Sequence, residues 1–350
     1  MERMDQGMPF LLKYENVAWY EDGKVRILDR RVYPTEVRFA VCTDYREVVQ
    51  AITDMVTQSA GPYTAVGMGM VLAAHQVRGQ TAEKQTAFLR QAADDLANAR
   101  PTQANRYGQI TFRAADLAEA ALAEGEDPVE AILEATVESL NRRYSIMQTV
   151  GDALCELIPQ GGSILTQCYG ETIIGTLIRA AKAQNKEFRV YCAETRPYLQ
   201  GARLTAGCFA EMGFDTTVLT DNSIAWAMQD GRIDLFTSAA DTITRDGHIA
   251  NKIGTFQIAL LAGEFSIPYY VTGIPDRDKA TKDDIVIEMR DPKQVLQIRG
   301  ITNCVPGVKA LYPAFDITPP GLITGIVTDK GVFPPHEIDR YFDGEVQVFY

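Results

Sequence analysis

Cysteine and histidine are sparse in this sequence, and neither is spaced for a metal. The six cysteines, at 42, 155, 168, 192, 208 and 304, form no CxxC pair, and the three histidines are His75, His248 and His336. Structural zinc and a disulfide framework are therefore excluded as organising devices. No run of about 18 apolar residues occurs, and Met1-Glu2-Arg3-Met4-Asp5-Gln6 lacks the basic-then-apolar order of a signal peptide. The cytoplasm is the expected compartment. Positive charge is short as well: 34 basic against 46 acidic residues give a net charge of -12 with no basic stripe, which argues against nucleic acid and anionic membranes as partners. A local pocket of a few donors still suffices for a small phosphorylated ligand. Neither G-x-G-x-x-G nor a P-loop follows any strand-like run; the nearest match, Gly67-Met68-Gly69, lies in a helical pattern. No NAD, ATP or other cofactor is expected, and no metal.

What is present is an ordinary globular composition, 46% hydrophobic and 23% charged over 350 residues, enough for two domains. The pattern changes near residue 150. Before it, Val17 to Leu28 alternates around Asp22-Gly23, a hairpin signal, and Asp44 to Thr57, Lys84 to Ala99, Phe112 to Glu124 and Pro128 to Leu140 show helical spacing. After it, short apolar runs and helical patterns recur every 25 to 35 residues. The strand candidates are Ser163 to Thr166, Phe188 to Cys192, Asp215 to Leu219, Ile233 to Thr237 and Pro268 to Thr272. Helices are expected at Thr172 to Gln184, Arg203 to Met212, Ser223 to Met228 and Lys252 to Phe265. The fold class is α/β: a Rossmann-like doubly wound parallel sheet over 151–350, preceded over 1–150 by a mainly helical domain that starts with a β hairpin.

Parallel strands bring their carboxyl ends to one edge, where open α/β sheets hold ligands. At those ends stand Cys168, then Glu194-Thr195-Arg196-Pro197-Tyr198-Leu199-Gln200-Gly201, then Asp221-Asn222, then Asp241, with Asn251-Lys252-Ile253-Gly254-Thr255 expected to open the next helix. Each has a plainer reading. A cysteine in such a protein is most often a small buried hydrophobe, and Asp241 could cap a helix or turn. Glu194 and Arg196 are expected to pair and shape their turn. His75 reads as structural, and His248 as a solvent-facing turn residue. A lysine at a helix start opposes the macrodipole, so a functional reason for Lys252 is favoured, such as an anion held by lysine and dipole together.

The string Glu194-Thr195-Arg196-Pro197-Tyr198-Leu199-Gln200-Gly201-Ala202-Arg203-Leu204-Thr205, with Leu219-Thr220-Asp221-Asn222, Ala240-Asp241, Asn251 to Thr255 and Pro313 to Pro319, resembles the methylthioribose-1-phosphate isomerase family. Asp29-Arg30-Arg31-Val32-Tyr33-Pro34 and Ala99-Arg100-Pro101-Thr102 with Asn105 extend the likeness over nearly the whole chain. The wider superfamily also holds ribose 1,5-bisphosphate isomerases and regulatory subunits of a translation-initiation exchange factor. The resemblance implies an aldose-ketose isomerase of methionine salvage, or of a related C1-phosphorylated pentose, working as a homodimer without cofactor. It implies catalytic Cys168 and Asp241, and ligand binding by Arg100, Gln200, Asn251, Lys252, Ala60 and Gly61, with Arg100 and Lys252 serving the phosphate. The alternative within the superfamily is a non-catalytic regulatory or ligand-binding protein.

Three loops depart from the family pattern. Gln58-Ser59-Ala60-Gly61 stands where the family has Arg-Gly-Ala-Pro, Thr166-Gln167-Cys168-Tyr169-Gly170-Glu171 where it has Thr-His-Cys-Asn-Ala-Gly, and Ala239-Ala240-Asp241 where it has Gly-Ala-Asp. A cation is lost and a carboxylate gained, both unfavourable to an anion. The expected substrate is accordingly methylthioribose 1-phosphate or a close relative held differently.

Overall fold

The computed structural model describes residues 3–100, 103–298 and 300–344; Pro101 and Thr102 of the motif around Arg100 lie outside them. The chain divides into two compact units, with the boundary between Ile146 and Met147.

The N-terminal unit opens with a short helix α1 (Tyr14–Val17) and an antiparallel sheet of β1 (Ala18–Glu21), β2 (Lys24–Leu28) and β3 (Phe39–Cys42). Glu21 faces Lys24 across the turn, and Asp22 and Gly23 both take positive φ, as a two-residue hairpin of this hand requires. The helices α2 (Tyr45–Thr53), α3 (Gly61–Gln76), α4 (Ala82–Ala97) and α5 (Ala104–Glu124) follow, and α6 (Pro128–Leu157) begins in this unit and ends beyond its boundary. α2 starts at a capping box in which Asp44 and Glu47 satisfy each other's backbone N–H groups. α3 is buried along nearly its whole length. Its Gly67 explains the G-x-G there: an added Cβ would lie 2.7 Å from the Thr136 side chain of α6, so the glycine serves close helix packing. His75 is structural, its Nδ1 2.9 Å from the Tyr20 hydroxyl.

The C-terminal unit is built on β4 (Ser163–Thr166), β5 (Arg189–Ala193), β6 (Thr216–Leu219), β7 (Leu235–Ala239) and β10 (Tyr269–Thr272), with α7 (Glu171–Ala183), α8 (Ala206–Glu211), α9 (Ile224–Gln229) and α10 (Thr255–Glu264) between them. β8 (Thr242–Ile243), β9 (Ile249–Lys252) and β13 (Phe315–Thr318) make a small antiparallel sheet, and α11 (Lys293–Leu296) precedes a hairpin of β11 (Gln297–Ile298) and β12 (Ile301–Thr302). β14 (Gly325–Thr328) and β15 (Gly331–Phe333) complete the main sheet, whose order is β15-β14-β10-β7-β4-β5-β6 with only β15 antiparallel. From β4 the chain winds outward through β5 and β6, then returns to β7 on the other side and continues through β10 and β14. The order therefore reverses between β4 and β7. Strand-ends at such a reversal splay apart and leave a crevice.

The apolar runs account for these strands: β4 is buried throughout and β7 nearly so, as a sheet covered on both faces demands. Phe236 on β7 stacks on Tyr269 of β10 with ring centroids 4.2 Å apart, inside a core that includes Leu165, Val271 and Ile326.

Candidate active site

Cys168 follows β4 by two residues, and Asp241 follows β7 by two. These strands are hydrogen-bonded neighbours, with Thr166 opposite Thr237. The two residues thus flank the point where the strand order reverses. Cys168 adopts φ +60°, an uncommon conformation for any residue but glycine, and Thr195 (+65°) and Leu199 (+58°) on the next loop share it. Such strain costs on the order of 1–3 kcal/mol per residue and collects where function holds it.

Hydrogen bonds pin the cysteine loop to the following one. The Cys168 N–H donates to the Thr195 hydroxyl at 3.1 Å, and the Thr205 hydroxyl donates to the Cys168 carbonyl. Gln167 Nε2 donates to the Ile253 carbonyl at 3.0 Å, tying the same loop to the approach of α10. The thiol is half-buried by surface, yet enough protein surrounds it to push its pKa up to about 11, with Asp241 raising it further and Lys252 and Arg290 opposing. Cys168 is a neutral thiol at pH 7.

Lys252 is 6% exposed, the last residue of β9, and its ammonium lies 4.2 Å from the centre of the Phe315 ring on β13. Burial depresses its pKa, and the nearby Arg290 does so too, while Cys168, Asp241 and Glu288 work in the other direction. These mutual influences group the Cys168 thiol, the Asp241 carboxylate and the Lys252 ammonium in one electrostatic neighbourhood. Asp241 is solvent-exposed, with its N–H donated to the Ala250 carbonyl at 2.9 Å. It sits ahead of β8.

The expectation that Asn251-Lys252 opens a helix is corrected: both end β9, and α10 begins only at Thr255 after Gly254 has turned the chain with φ +100°. The macrodipole argument for Lys252 lapses, and its burial replaces it. Asn251 is buried and donates to the Thr255 hydroxyl at 3.1 Å. The α10 N-terminus is held instead by Asp316, whose carboxylate accepts from Gly254 N–H at 2.7 Å and Phe256 N–H at 3.1 Å. Desolvation nevertheless raises the Asp316 pKa to about 6.

Gln200 closes the loop after β5, buried, with no hydrogen-bond partner for its Oε1 among the described residues. Gly201 beside it is required, since a Cβ there would lie 1.8 Å from the Ala193 carbonyl oxygen. The expected Glu194–Arg196 pair does not shape this loop. Asp221 does, accepting from Thr195 N–H at 2.8 Å and Arg196 N–H at 2.7 Å, while the Arg196 guanidinium donates to the carbonyls of Pro197, Val295 and Gln297. His248 is likewise corrected: its Nδ1 lies 3.0 Å from Asp246 Oδ1 rather than simply facing water.

The chain matches the model of the Initiation factor 2 subunit family over residues 60–335. The chain belongs to that family. Methylthioribose-1-phosphate isomerase of Chloroflexus aurantiacus is 37% identical over 91% of this chain and 95% of its own length, and that of Pelotomaculum thermopropionicum is 35% identical over 92% and 91%. The crystal structure of 5-methylthioribose 1-phosphate isomerase from Pyrococcus horikoshii OT3 superposes with a TM-score of 0.82 at 30% identity, covering 97% of this chain and 98% of that one. A family structure described as translation initiation factor eIF-2B, subunit delta, from A. fulgidus superposes at 0.79 with 31% identity, covering 92% and 97%. The chain is an isomerase of this family.

Two residues of the neighbourhood have a placement that the sequence alone does not show. Arg290 is fixed by backbone pairing of its segment with Tyr312 and Ala314, and its guanidinium bonds Glu288 at 2.9 Å and lies 5.7 Å from the Phe315 ring. Asp316 lies in a motif the family resemblance already contains, yet only the β9–β13 register, which sets it opposite Asn251, reveals what it does.

The remaining family positions, Ala60, Gly61 and Arg100, belong to the N-terminal unit. Ala60 and Gly61 begin α3, whose N-terminus has no side-chain cap. Gln58 is buried, and the fully buried Arg30 donates to its carbonyl at 2.6 Å, so a guanidinium reaches this loop although position 58 lacks one. Arg100 follows α4, close enough to Tyr107 to oppose the rise that burial imposes on that hydroxyl. Among the described residues no group of three His, Cys, Asp or Glu side chains is placed to hold a metal, and no helix is long and apolar enough to cross a membrane.

Proposed function

We propose that the chain isomerises a C1-phosphorylated pentose to its ketose phosphate, with methylthioribose 1-phosphate as first candidate and a 5-deoxy or 5-phospho relative as second. The observation that carries the reading is the shared neighbourhood of a neutral thiol, an exposed carboxylate and a buried ammonium at the strand reversal.

The chemistry asks for those groups. An aldose whose C1 oxygen is phosphorylated cannot open spontaneously to an aldehyde, so its ring oxygen must be protonated as the bond to C1 breaks. Hydrogen then passes from C2 to C1 while the C2 hydroxyl loses its proton. Two proton-handling groups are required. A thiol that keeps its proton up to about pH 11 is suited to donate, and the exposed Asp241 carboxylate is suited to accept. Lys252 supplies positive charge for the phosphate in surroundings dry enough to strengthen that attraction. Asn251 and Gln200 offer amides to sugar hydroxyls, and for Ala60, Gly61 and Arg100 the ligand role rests on the resemblance. The homodimer and the cytoplasmic location belong to the same reading.

The regulatory alternative has support in the likeness to the A. fulgidus structure, but it gives no reason to bury Lys252 beside a strained cysteine. Incubation with methylthioribose 1-phosphate and with ribose 1,5-bisphosphate, followed by phosphorus NMR, decides. A phosphomonoester resonance of the ketose must replace the C1-phosphate signal of at least one. No conversion of either, with the substrates intact after prolonged incubation, overturns the proposal.

A further inference from the structure

A second concentration of positive charge lies wholly inside the N-terminal unit. A cleft there is lined by residues of α5 and α6 and by Tyr63. Its floor is apolar, from Ile110, Leu117, Ile132 and Leu140, and three guanidinium groups, Arg113, Arg142 and Arg143, line it. No carboxylate is among the described residues that line the cleft. In a chain of net charge -12 that exclusion is local and pronounced.

Arg143 is the decisive member. It is 4% exposed, and its Nε is covered with no hydrogen-bond partner among the described residues. Among the described residues its guanidinium is met only by aromatic rings, Tyr63 at 5.9 Å and Tyr144 at 5.7 Å. Among the described residues the covered Nε of Arg142 also lacks a hydrogen-bond partner. Ring faces attract a cation but do not satisfy a planar fork of donors, and burying a charge with no counter-ion is unfavourable. Three like charges around one opening add repulsion that an anion would relieve. Guanidinium groups are also the donors best matched to phosphate and carboxylate.

We propose that this cleft is a binding site, separate from the strand-end site, for a small organic anion: a phosphate or carboxylate head group on an apolar body. The head group takes the arginine donors and the body lies on the Ile110, Leu117 and Leu140 surface. Occupancy supplies counter-charge that the cationic pocket lacks, so the ligand stabilises the N-terminal unit in proportion to its binding.

The test is calorimetric titration of the full chain with phenyl phosphate, benzoate, inorganic phosphate and phenol, together with thermal melts. Titrations are repeated in Lys252→Met, where the strand-end site has lost its cation. The expected result is that phenyl phosphate or benzoate binds Lys252→Met and raises its melting temperature. Inorganic phosphate and phenol should each bind at least tenfold more weakly. Arg143→Met, and the double variant Arg113→Gln with Arg142→Gln, should each weaken phenyl phosphate binding at least tenfold in that background. Unchanged binding in the arginine variants overturns the proposal. So does a concentration-dependent dimer that dissociates in Arg113→Gln/Arg142→Gln, because the cleft would then be filled by a second copy of the chain.

Discussion

The Lys252 ammonium rests 4.2 Å from the centre of the Phe315 ring, directly opposite it in the β9–β13 register. No ion pair or hydrogen bond of that ammonium is found among the described residues, and burial lowers its pKa. Because the folded pKa lies below the unfolded one, the charge destabilises the fold at neutral pH, and the penalty is relieved as pH rises toward the unfolded value. Lys252→Met should therefore melt higher than the wild type at pH 7 by the equivalent of about 1–3 kcal/mol, while kcat/KM falls at least a hundredfold. Calorimetry and steady-state kinetics on the same preparation check both.

Asp316 gives a second pH signature with a different window. Its pKa of about 6 in the fold exceeds the ordinary carboxyl value of 3.8, so the folded state binds this proton more tightly. Stability from this group is full below about pH 4 and is lost as pH rises through about 6, by up to roughly 3 kcal/mol. Subtracting the urea-unfolding stability of Asp316→Asn from that of the wild type at each pH should show this decline between pH 4 and 6. A flat difference contradicts it.

The Cys168 thiol should be slow to alkylate at ordinary assay pH. With a pKa near 11, its reaction with iodoacetamide keeps rising well past pH 9, where an ordinary cysteine has already levelled off. Peptide mapping separates it from the other half-buried cysteine, Cys304. A plateau by pH 8.5 would show an activated thiolate instead.

Gly201→Ala places a methyl group 1.8 Å from a backbone oxygen that cannot turn away. The loop carrying Gln200 must shift, at a cost of about 3 kcal/mol or more. Thermal denaturation should show the loss, and the variant should also bind substrate poorly because Gln200 and Thr195 move with the loop.

The parallel strands β4, β5, β6, β7 and β10 and the helices between them were legible because sheets buried on both faces leave short continuous apolar runs, as at Ser163 to Thr166, whereas the parallel strand β14 was not among the expected strands. The β8, β9 and β13 sheet was not. Its strands are brief and polar, and Asn251-Lys252 resembles a helix start until the cross-strand pairing with Phe315 and Asp316 is known. Arg290 stayed invisible for a related reason: only the pairing of its segment with Tyr312 and Ala314 carries it toward Cys168. Cys168 and Asp241 were singled out by the family resemblance and strand-end logic together, since neither has a distinctive spacing, and their catalytic role is a proposal. The turn at 194–201 illustrates the opposite failure: two opposite charges close in sequence suggested a pair, yet a carboxylate 25 residues beyond Arg196 supplies the bonds.

The most direct measurement is the turnover of Cys168→Ser and Asp241→Asn on the best substrate, with folding verified by circular dichroism and melting. Loss of positioned proton transfer should cut kcat by about 10²–10⁴ in each variant, with KM little changed. Turnover within twofold of the wild type in either variant would show that the thiol and carboxylate at the ends of β4 and β7 do not carry the reaction.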